Sequence, residues 1–518
     1  MRNTCLNQTW LPKIIYVDTL LLIMIQLIII TSSLFLTVFC RQESESMELT
    51  WWDAHVPHLA MVVLFALWLL KPNLYEKYKT TIFKKTMFVF AIAGVLGIPL
   101  LSRANSSIYA MYITLSIPAI LYFYDKNRYT KIFVILSFIA CGIAVITVTS
   151  RTGIIAIAIS LIFFISSHLK ISPRILRFST FFFIGLLIFM FLFVKRDSSI
   201  GRIFILKNTA KMIIDKPFGW GNKGFEANYM LYQANYFSNH TDEKAEMLAD
   251  NIKHPLNEFL YIAVNWGVPV LLLTLCGVLL VLFMLHKEMN KENKCYIHFI
   301  VLLLLWGCFS YPLSISFVLV LLLAFIPITP KTKQLLFKQN AVRYSIIFIL
   351  LIYGGTKLIA LNHERKWYCA INEYKKGNIA TATKMFNSFS SDIATNRGET
   401  LYSLATIEYN NKEYERCINI CKKCKLYLAS YDLELLLANC YYFIGEHRKS
   451  LEHFTVAHHM CPNRFIPLYK QFKIYNESGD KINMTRIGNE ILSKKIKVRS
   501  HKINVIINNV KYILINNK

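Results

Sequence analysis

The chain has 518 residues, 55% of them apolar and 14% aromatic, with a mean hydropathy of +0.40, more hydrophobic surface than a water-soluble fold can bury. A net charge of +27 would suit a nucleic-acid binder in a soluble protein, but Lys and Arg in excess are also what membrane proteins collect in their cytoplasmic loops. Composition therefore excludes a small soluble enzyme, and no nucleic-acid partner is expected.

Apolar runs close to the ~20 residues that cross ~30 Å of hydrocarbon as helix predict about eleven spans. They fall at 14–39, 56–70, 86–101, 107–124, 131–149, 153–169, 178–194, 257–285, 296–313, 315–329 and 344–361. The first run is too long for a signal-peptide core and lacks a small-residue cleavage pattern, so it is expected to be a retained span. With the N-terminus inside, one set of alternate loops carries Lys71, Lys77, Lys79, Lys84 and Lys85, then Lys126, Arg128 and Lys131, then Lys170, Arg174 and Arg177. The same set continues with Lys287, Lys291 and Lys294, then Lys331, Lys333, Lys338 and Arg343. Opposite loops are poor in base: residues 40–55 hold one Arg against three Glu and one Asp. The positive-inside bias thus places the loop 195–253 and everything after 361 on the exterior side. The expected fold is all-α: a polytopic helical membrane domain over 1–361, with 195–253 as its large exterior loop, and a soluble domain over 362–518.

From about Glu364 the pattern changes to amphipathic helices of about a dozen residues. Tyr374 with Gly377, Tyr409 with Lys412, Tyr442 with Gly445 and Asn476 with Gly479 recur at 33 to 35 residues. A period near 34 predicts helix-turn-helix repeats of the tetratricopeptide (TPR) kind. Ala382 and Phe386 match the small-to-aromatic A-x3-F step of such repeats, Cys417 and Cys421 degrade it, and Ser450 and Phe454 match it loosely. That register reads Cys417 and Cys421, with nearby Cys424, as small core residues rather than a metal or redox site. An oxidising exterior compartment would also permit disulfides among these three, Cys369, Cys440 and Cys461, with no pairing specified by sequence. Stacked repeats leave a concave face, which suits a protein partner or plain support of the membrane domain.

Ionisable groups at span ends are costly in lipid and therefore informative. Three basic residues qualify on the exterior side: Arg151 after Thr147-Val148-Thr149-Ser150, Arg202 after Gly201, and His254 just before the span that opens at Asn257. Each alone has a plainer reading, respectively a snorkelling anchor, a solvated loop charge and a structural histidine. Their common side raises all three, as does the segment joining them. It runs Asp215-Lys216-Pro217-Phe218-Gly219-Trp220-Gly221-Asn222-Lys223-Gly224-Phe225, then His254-Pro255-Leu256-Asn257-Glu258-Phe259-Leu260, then Asn265-Trp266-Gly267-Val268. Its glycines lack the G-K-[ST] ending of a phosphate-binding loop and read as turn formers.

This order resembles the O-antigen ligase and O-antigen polymerase superfamily: Ser-Arg after a span, Gly-Arg, a D-x-P-x-G-x-G-x-x-x-F-type loop, then a His/Asn-Glu-aromatic-Leu motif opening a span. The resemblance covers roughly residues 130–330 and implies a multispanning bacterial glycosyltransferase of the inner membrane using undecaprenyl-diphosphate-linked glycan. It implies that Arg151 and Arg202 surround the donor diphosphate and that His254 is the nearest match to the exterior-loop histidine. Asn257 and Glu258 then open the following span as substrate-binding residues. Many members place His directly before Asn, whereas here Leu256 fills that place and His254 stands two residues earlier. Glu258 is the local substitute.

The chemistry agrees with that assignment. Two guanidinium groups can hold a leaving diphosphate bidentately without a metal, and a neutral imidazole suits a general base. No D-x-D pair or acidic cluster stands on the exterior side, and His55 with His58 is read as structural, so neither metal nor other cofactor is expected. The acceptor, whether glycan, lipid A-core or protein, separates ligase from polymerase and protein O-oligosaccharyltransferase. Ligase is slightly favoured because the long exterior loop lies late and closes on the His254 motif. Rival classes are a lipid or solute transporter, against which stands the lack of an inverted repeat, and a membrane scaffold in which only the repeats bind.

Overall fold

The computed structural model describes residues 106–168 (Lys126 excepted), 196–314, 340–389 and 397–516, with scattered positions between 59 and 95 and at 185 and 318. Apart from those scattered positions, the expected spans 14–39, 56–70, 86–101, 178–194 and 315–329, with His55 and His58, lie outside the described residues. Among the described residues every element is helical and none is a strand. They fall into two compact units, one drawn from 1–190 and 274–365 and the other from 191–273 and 366–518.

In the first unit, α1 (Ser106–Tyr122), α2 (Arg128–Thr147) and α3 (Arg151–His168) are followed by α8 (Val268–Lys287), α9 (Lys291–Phe309) and the start of α10 (Asn340–Lys375). Among the described residues, α2, α3, α8, α9 and the 344–375 part of α10 are long and apolar enough to span a membrane, and α1 is a shorter apolar helix. α1 is buried almost all round, as a helix apolar on every face is when it sits at the centre of a bundle. α8 is the converse: Leu285 is its one buried residue, and its exposed Leu, Val and Phe side chains suit acyl chains. Small residues set the close approaches, since a Cβ on Gly153 of α3 would stand 2.9 Å from Ala110 Cβ of α1 and 2.7 Å from Val145 Cγ1 of α2. Trp306 Nε1 donates to Thr114 Oγ1 at 2.9 Å, tying α9 to α1.

Two expected boundaries change. The run 257–285, read as one span, is broken at Gly267 into α7 (Glu258–Trp266) and α8, because Gly267 adopts φ +91°. α10 continues through 361 to Lys375, since no Gly or Pro intervenes before Gly377.

The second unit joins α4 (Arg196–Asp215), α5 (Gly224–Asn239), α6 (Glu243–Leu248) and α7 to the C-terminal helices. The latter comprise α11 (Ile379–Phe389), α12 (Arg397–Asn410), α13 (Tyr414–Cys424), α14 (Tyr431–Phe443), α15 (His447–Met460), α16 (Ile466–Glu477), α17 (Lys481–Ser493) and α18 (His501–Asn516). The expected exterior loop is thus itself largely helical. Hairpins α12/α13, α14/α15 and α16/α17 turn at Lys412, Gly445 and Gly479, and α10 turns into α11 at Gly377; all four turn residues have positive φ. Each turn carries the same pair of bonds. The amides of Gly377, Lys412, Gly445 and Gly479 donate to the carbonyls of Tyr374, Tyr409, Tyr442 and Asn476 at 2.9 to 3.3 Å, and each following amide donates five residues back. This is a Schellman cap, which explains the recurrence of a left-handed residue at these positions.

The seam between helices also repeats. Cys417 Sγ donates to Ala405 O at 3.1 Å, and 33 residues later Ser450 Oγ donates to Ala438 O at 2.8 Å. Cys417, Cys421, Cys424, Cys440 and Cys461 are buried free thiols. Cys417→Ala combined with Cys421→Phe, restoring the residues found at Ala382 and Phe386, should keep expression and helicity, measured by circular dichroism and gel filtration. Collapse of the double variant, or zinc bound by the wild type at one equivalent, would assign these thiols more than packing.

The segment 196–266 packs on the C-terminal helices through a shared core. Ile205, Met212, Phe225 and Tyr229 meet Tyr431, Ala457, Met460 and Cys461 there. Buried Gln233 donates to the carbonyls of Met460 at 2.6 Å and Asp250 at 3.0 Å. Asn463 donates to the carbonyls of Glu246 and Ala249, closing the end of α6. Arg464 pairs with Asp250 at 2.9 Å and lies 4.5 Å from the Tyr431 ring.

Candidate functional site

The two motifs that the sequence separates by about forty residues are one object in the second unit. Trp220 N donates to Val264 O at 2.7 Å, Gly221 N to Asn265 O at 3.0 Å, and Val268 N to Pro217 O at 2.8 Å, so the segment 217–221 is bonded along the α7–α8 break. Asn265 Oδ1 also accepts from Phe225 N at 2.9 Å at the start of α5. Contact this close requires glycine on both sides. A Cβ on Gly219 (φ +94°) would stand 2.7 Å from Asn265 O, and one on Gly267 would stand 2.6 Å from the carbonyl carbon of Phe218.

That lock positions α7, whose first turn carries the candidate residues. Asn257 is the N-cap, its side chain accepting from Leu260 N at 3.0 Å, which fixes where the helix begins. Glu258 is therefore the first helical residue, and it is buried. Leu256, at φ +55°, turns the chain so that His254 comes back over α7. Its ring stacks on Tyr261 at 4.5 Å and 24°, and its Nε2 lies 4.0 Å from Glu258 Oε2. His254 Nδ1 accepts from Leu256 N at 3.1 Å, which in the neutral ring assigns the proton to Nε2, on the Glu258 side. Burial pushes the imidazole down to about 4, so it is neutral at physiological pH.

Behind this pair stands a residue that the sequence reading passed over. Tyr261 Oη donates to Glu226 Oε1 at 3.0 Å, and burial raises the Glu226 carboxyl above its usual range, opposed by the Tyr261 bond and by Lys223. His254, Tyr261 and Glu226 thus form a continuous stack and bond between α7 and α5. The available signal was an acid inside the Gly224-Phe225-Glu226 step of an otherwise glycine-rich and aromatic segment.

Arg202 is half-buried on α4, which packs against both α5 and α7. Spacing of three or four residues puts it on one stripe with buried Ser199, Ile205, Thr209 and Met212, the face turned to the shared core. Arg151 belongs to the first unit. It is the first residue of α3 and half-buried, behind Ser150, whose Oγ accepts from Gly153 N at 3.3 Å. A guanidinium beside a helix N-terminus is an arrangement that favours anions. Among the described residues no three His, Cys, Asp or Glu side chains gather as a metal set.

Such a chain is a helical membrane protein with several spans, in which Arg151 and Glu258 stand at helix starts and His254 lies beside a glycine-locked turn. Residues 136–275 match the family model described as O-antigen ligase (Wzy_C), a stretch that includes Arg151, Arg202, His254, Asn257 and Glu258. No curated protein matches the chain significantly.

Proposed function

We propose that the chain is a glycosyltransferase of the bacterial inner membrane that moves an oligo- or polysaccharide from undecaprenyl diphosphate to an acceptor at the periplasmic face, as an O-antigen ligase does. The carrying observation is that the family match spans every candidate residue, while main-chain bonds join the two motifs it contains. Residues 1–361 serve as the membrane domain in this reading, and 362–518 as a TPR-like support that packs on the exterior segment and offers a face to a protein partner.

The reaction is a single displacement with inversion. Arg151 and Arg202 hold the diphosphate and stabilise the charge that develops as the anomeric C–O bond breaks and its electrons pass to the phosphate oxygen. The acceptor hydroxyl forms the new C–O bond and gives its proton to the His254–Glu258 pair. Within that pair we assign the base to Glu258. An imidazole lowered to about 4, with Nδ1 already accepting a bond, is a poor proton acceptor. His254 instead directs Nε2–H towards the carboxylate and orients it. Products are the glycosylated acceptor and undecaprenyl diphosphate, and the two guanidinium groups do without a metal. The orientation set by the lysine bias supports the periplasmic face.

The test is transfer from an undecaprenyl-diphosphate-linked oligosaccharide by the purified full chain in detergent, with and without EDTA. Arg202→Lys keeps the charge but loses the planar fork, so it should cost roughly 10²-fold or more. Full activity in Arg202→Lys would remove the bidentate role, and activity abolished by EDTA would remove the metal-free reading. Surface glycan of cells lacking the protein then sorts the acceptor: loss of long glycan from its lipid anchor marks a ligase, single repeat units a polymerase, and a missing glycoprotein ladder protein glycosylation.

A further inference from the structure

A second concentration of polar groups lies at the far end of α3 from Arg151, about 25 Å along the helix at ~1.5 Å per residue. There the ends of α1 and α3 and the start of α9 enclose a cavity of about 360 Å³. That volume lies within the ~300–1,000 Å³ of small-ligand sites. One face of α9 supplies Lys291, Lys294 and His298, spaced three and four residues apart and so on a single stripe. Lys291 Nζ sits 5.0 Å from the Tyr122 ring and 3.5 Å from Tyr124 O, so the aromatic wall holds the ammonium at the rim. Beside it Tyr124 packs edge to face on Phe164 at 4.9 Å and on His168 at 4.7 Å, and Phe164 and His168 lie tilted at 4.7 Å.

The floor is stranger than the rim. His298 is 2% exposed in the middle of an apolar helix, bonded through Nε2 to Ser160 Oγ at 2.9 Å and stacked on Phe163 at 4.6 Å. An ionisable side chain in a span is costly, and such residues mark sites rather than packing. Among the described residues Asp125 is the single acid lining the cavity, set against two lysines. The cavity thus carries a positive rim, an aromatic wall at the membrane interface and a polar floor. Basic pockets between membrane helices take lipid phosphates in this way.

We propose that this cavity binds a phosphate-bearing anion, with Lys291 and Lys294 holding the phosphate and Tyr122 and Tyr124 flanking the group it esterifies. The phosphate diester of an anionic phospholipid and a soluble phosphate share this chemistry. The site is separate from the residues assigned to glycosyl transfer, and it stands or falls without them.

The test places the purified full chain in nanodiscs of phosphatidylcholine and phosphatidylglycerol and weighs the lipid it retains by native mass spectrometry. Preferential retention of phosphatidylglycerol is expected. It should fall about fivefold in Lys291→Gln and in Lys294→Gln, and about twentyfold or more in the double variant. The corresponding double arginine variant should keep it. Gel filtration and circular dichroism verify the fold, and the single variants carry the test if the double one misfolds. Radiolabelled inorganic phosphate, dialysed against protein in phosphatidylcholine alone, separates the sources: binding lost in the glutamine variants, without phosphatidylglycerol retention, assigns the cavity to soluble phosphates. Retention equal for both lipids with no phosphate bound, or retention unchanged in the glutamine variants, overturns the proposal.

Discussion

Glu258→Gln is expected to lower glycan transfer by about 10² to 10⁴, the range for a lost general base, whereas His254→Ala should lose less. The asymmetry follows from the geometry: Nδ1 of His254 is occupied by Leu256 N, Nε2 carries the proton 4.0 Å from Glu258 Oε2, and burial holds the ring near 4. Because the imidazole is already neutral across the ordinary working range, titrating it cannot produce a rate change between pH 6 and 7. A rise in initial rate centred near the imidazole's usual ~6.5, together with the larger loss in His254→Ala, would return the base to His254. Both variants retain Asn257 and the α7 cap, so an intact thermal transition in detergent is part of the expected result.

Gly267→Ala should unfold the motif altogether. At φ +91° an alanine is strained by about 1 to 3 kcal/mol, and its Cβ would stand 2.6 Å from the Phe218 carbonyl carbon, inside backbone that cannot rotate away. Relief requires parting the segment 217–221 from α7, which forfeits the bonds to Val264 O, Asn265 O and Pro217 O. Limited proteolysis should then cut between Lys216 and Lys223 faster than in the wild type, where main-chain bonds hold this stretch to α7. Gly221→Ala is the control: its φ is +90°, but nothing lies within 4 Å of the added Cβ, so it bears strain without collision. Equal protection of Gly267→Ala and wild type would show that the two motifs are not locked as described.

The sequence made the hairpin turns legible because a Schellman cap needs a left-handed residue, and glycines at 377, 445 and 479 advertise it. Lys412 fills the same place without that advertisement, and only the period located it. The helix break at Gly267 was hidden for the opposite reason. The signal was local, Gly267 followed by Pro269 at the start of α8, but the long apolar run around it reads as one span, because hydropathy records solvation and not dihedrals; the close partner at Gly219 lies forty-odd residues away. His254 and Glu258 could be singled out by side and by order, but the tautomer that divides their roles depends on Leu256 adopting φ +55°, which no propensity predicts for leucine. Glu226 was missed because an acid in the first turn of a helix is ordinarily a dipole partner. Its bond to Tyr261 is visible only once α5 and α7 are packed.

The seam of the hairpins decides what can be exchanged in them. Ala370 and Phe386, and again Ala438 and Phe454, set a small residue in one helix near an aromatic in the other, all fully buried. In α16 and α17 the sizes are reversed: Phe472 occupies the alanine place, and a Cβ on Gly488 would already stand 3.0 Å from its ring. A single helix exchanged between α16/α17 and either of the other two would therefore meet two aromatic rings in one slot, or none. The last hairpin can be grafted only whole, with both halves travelling together.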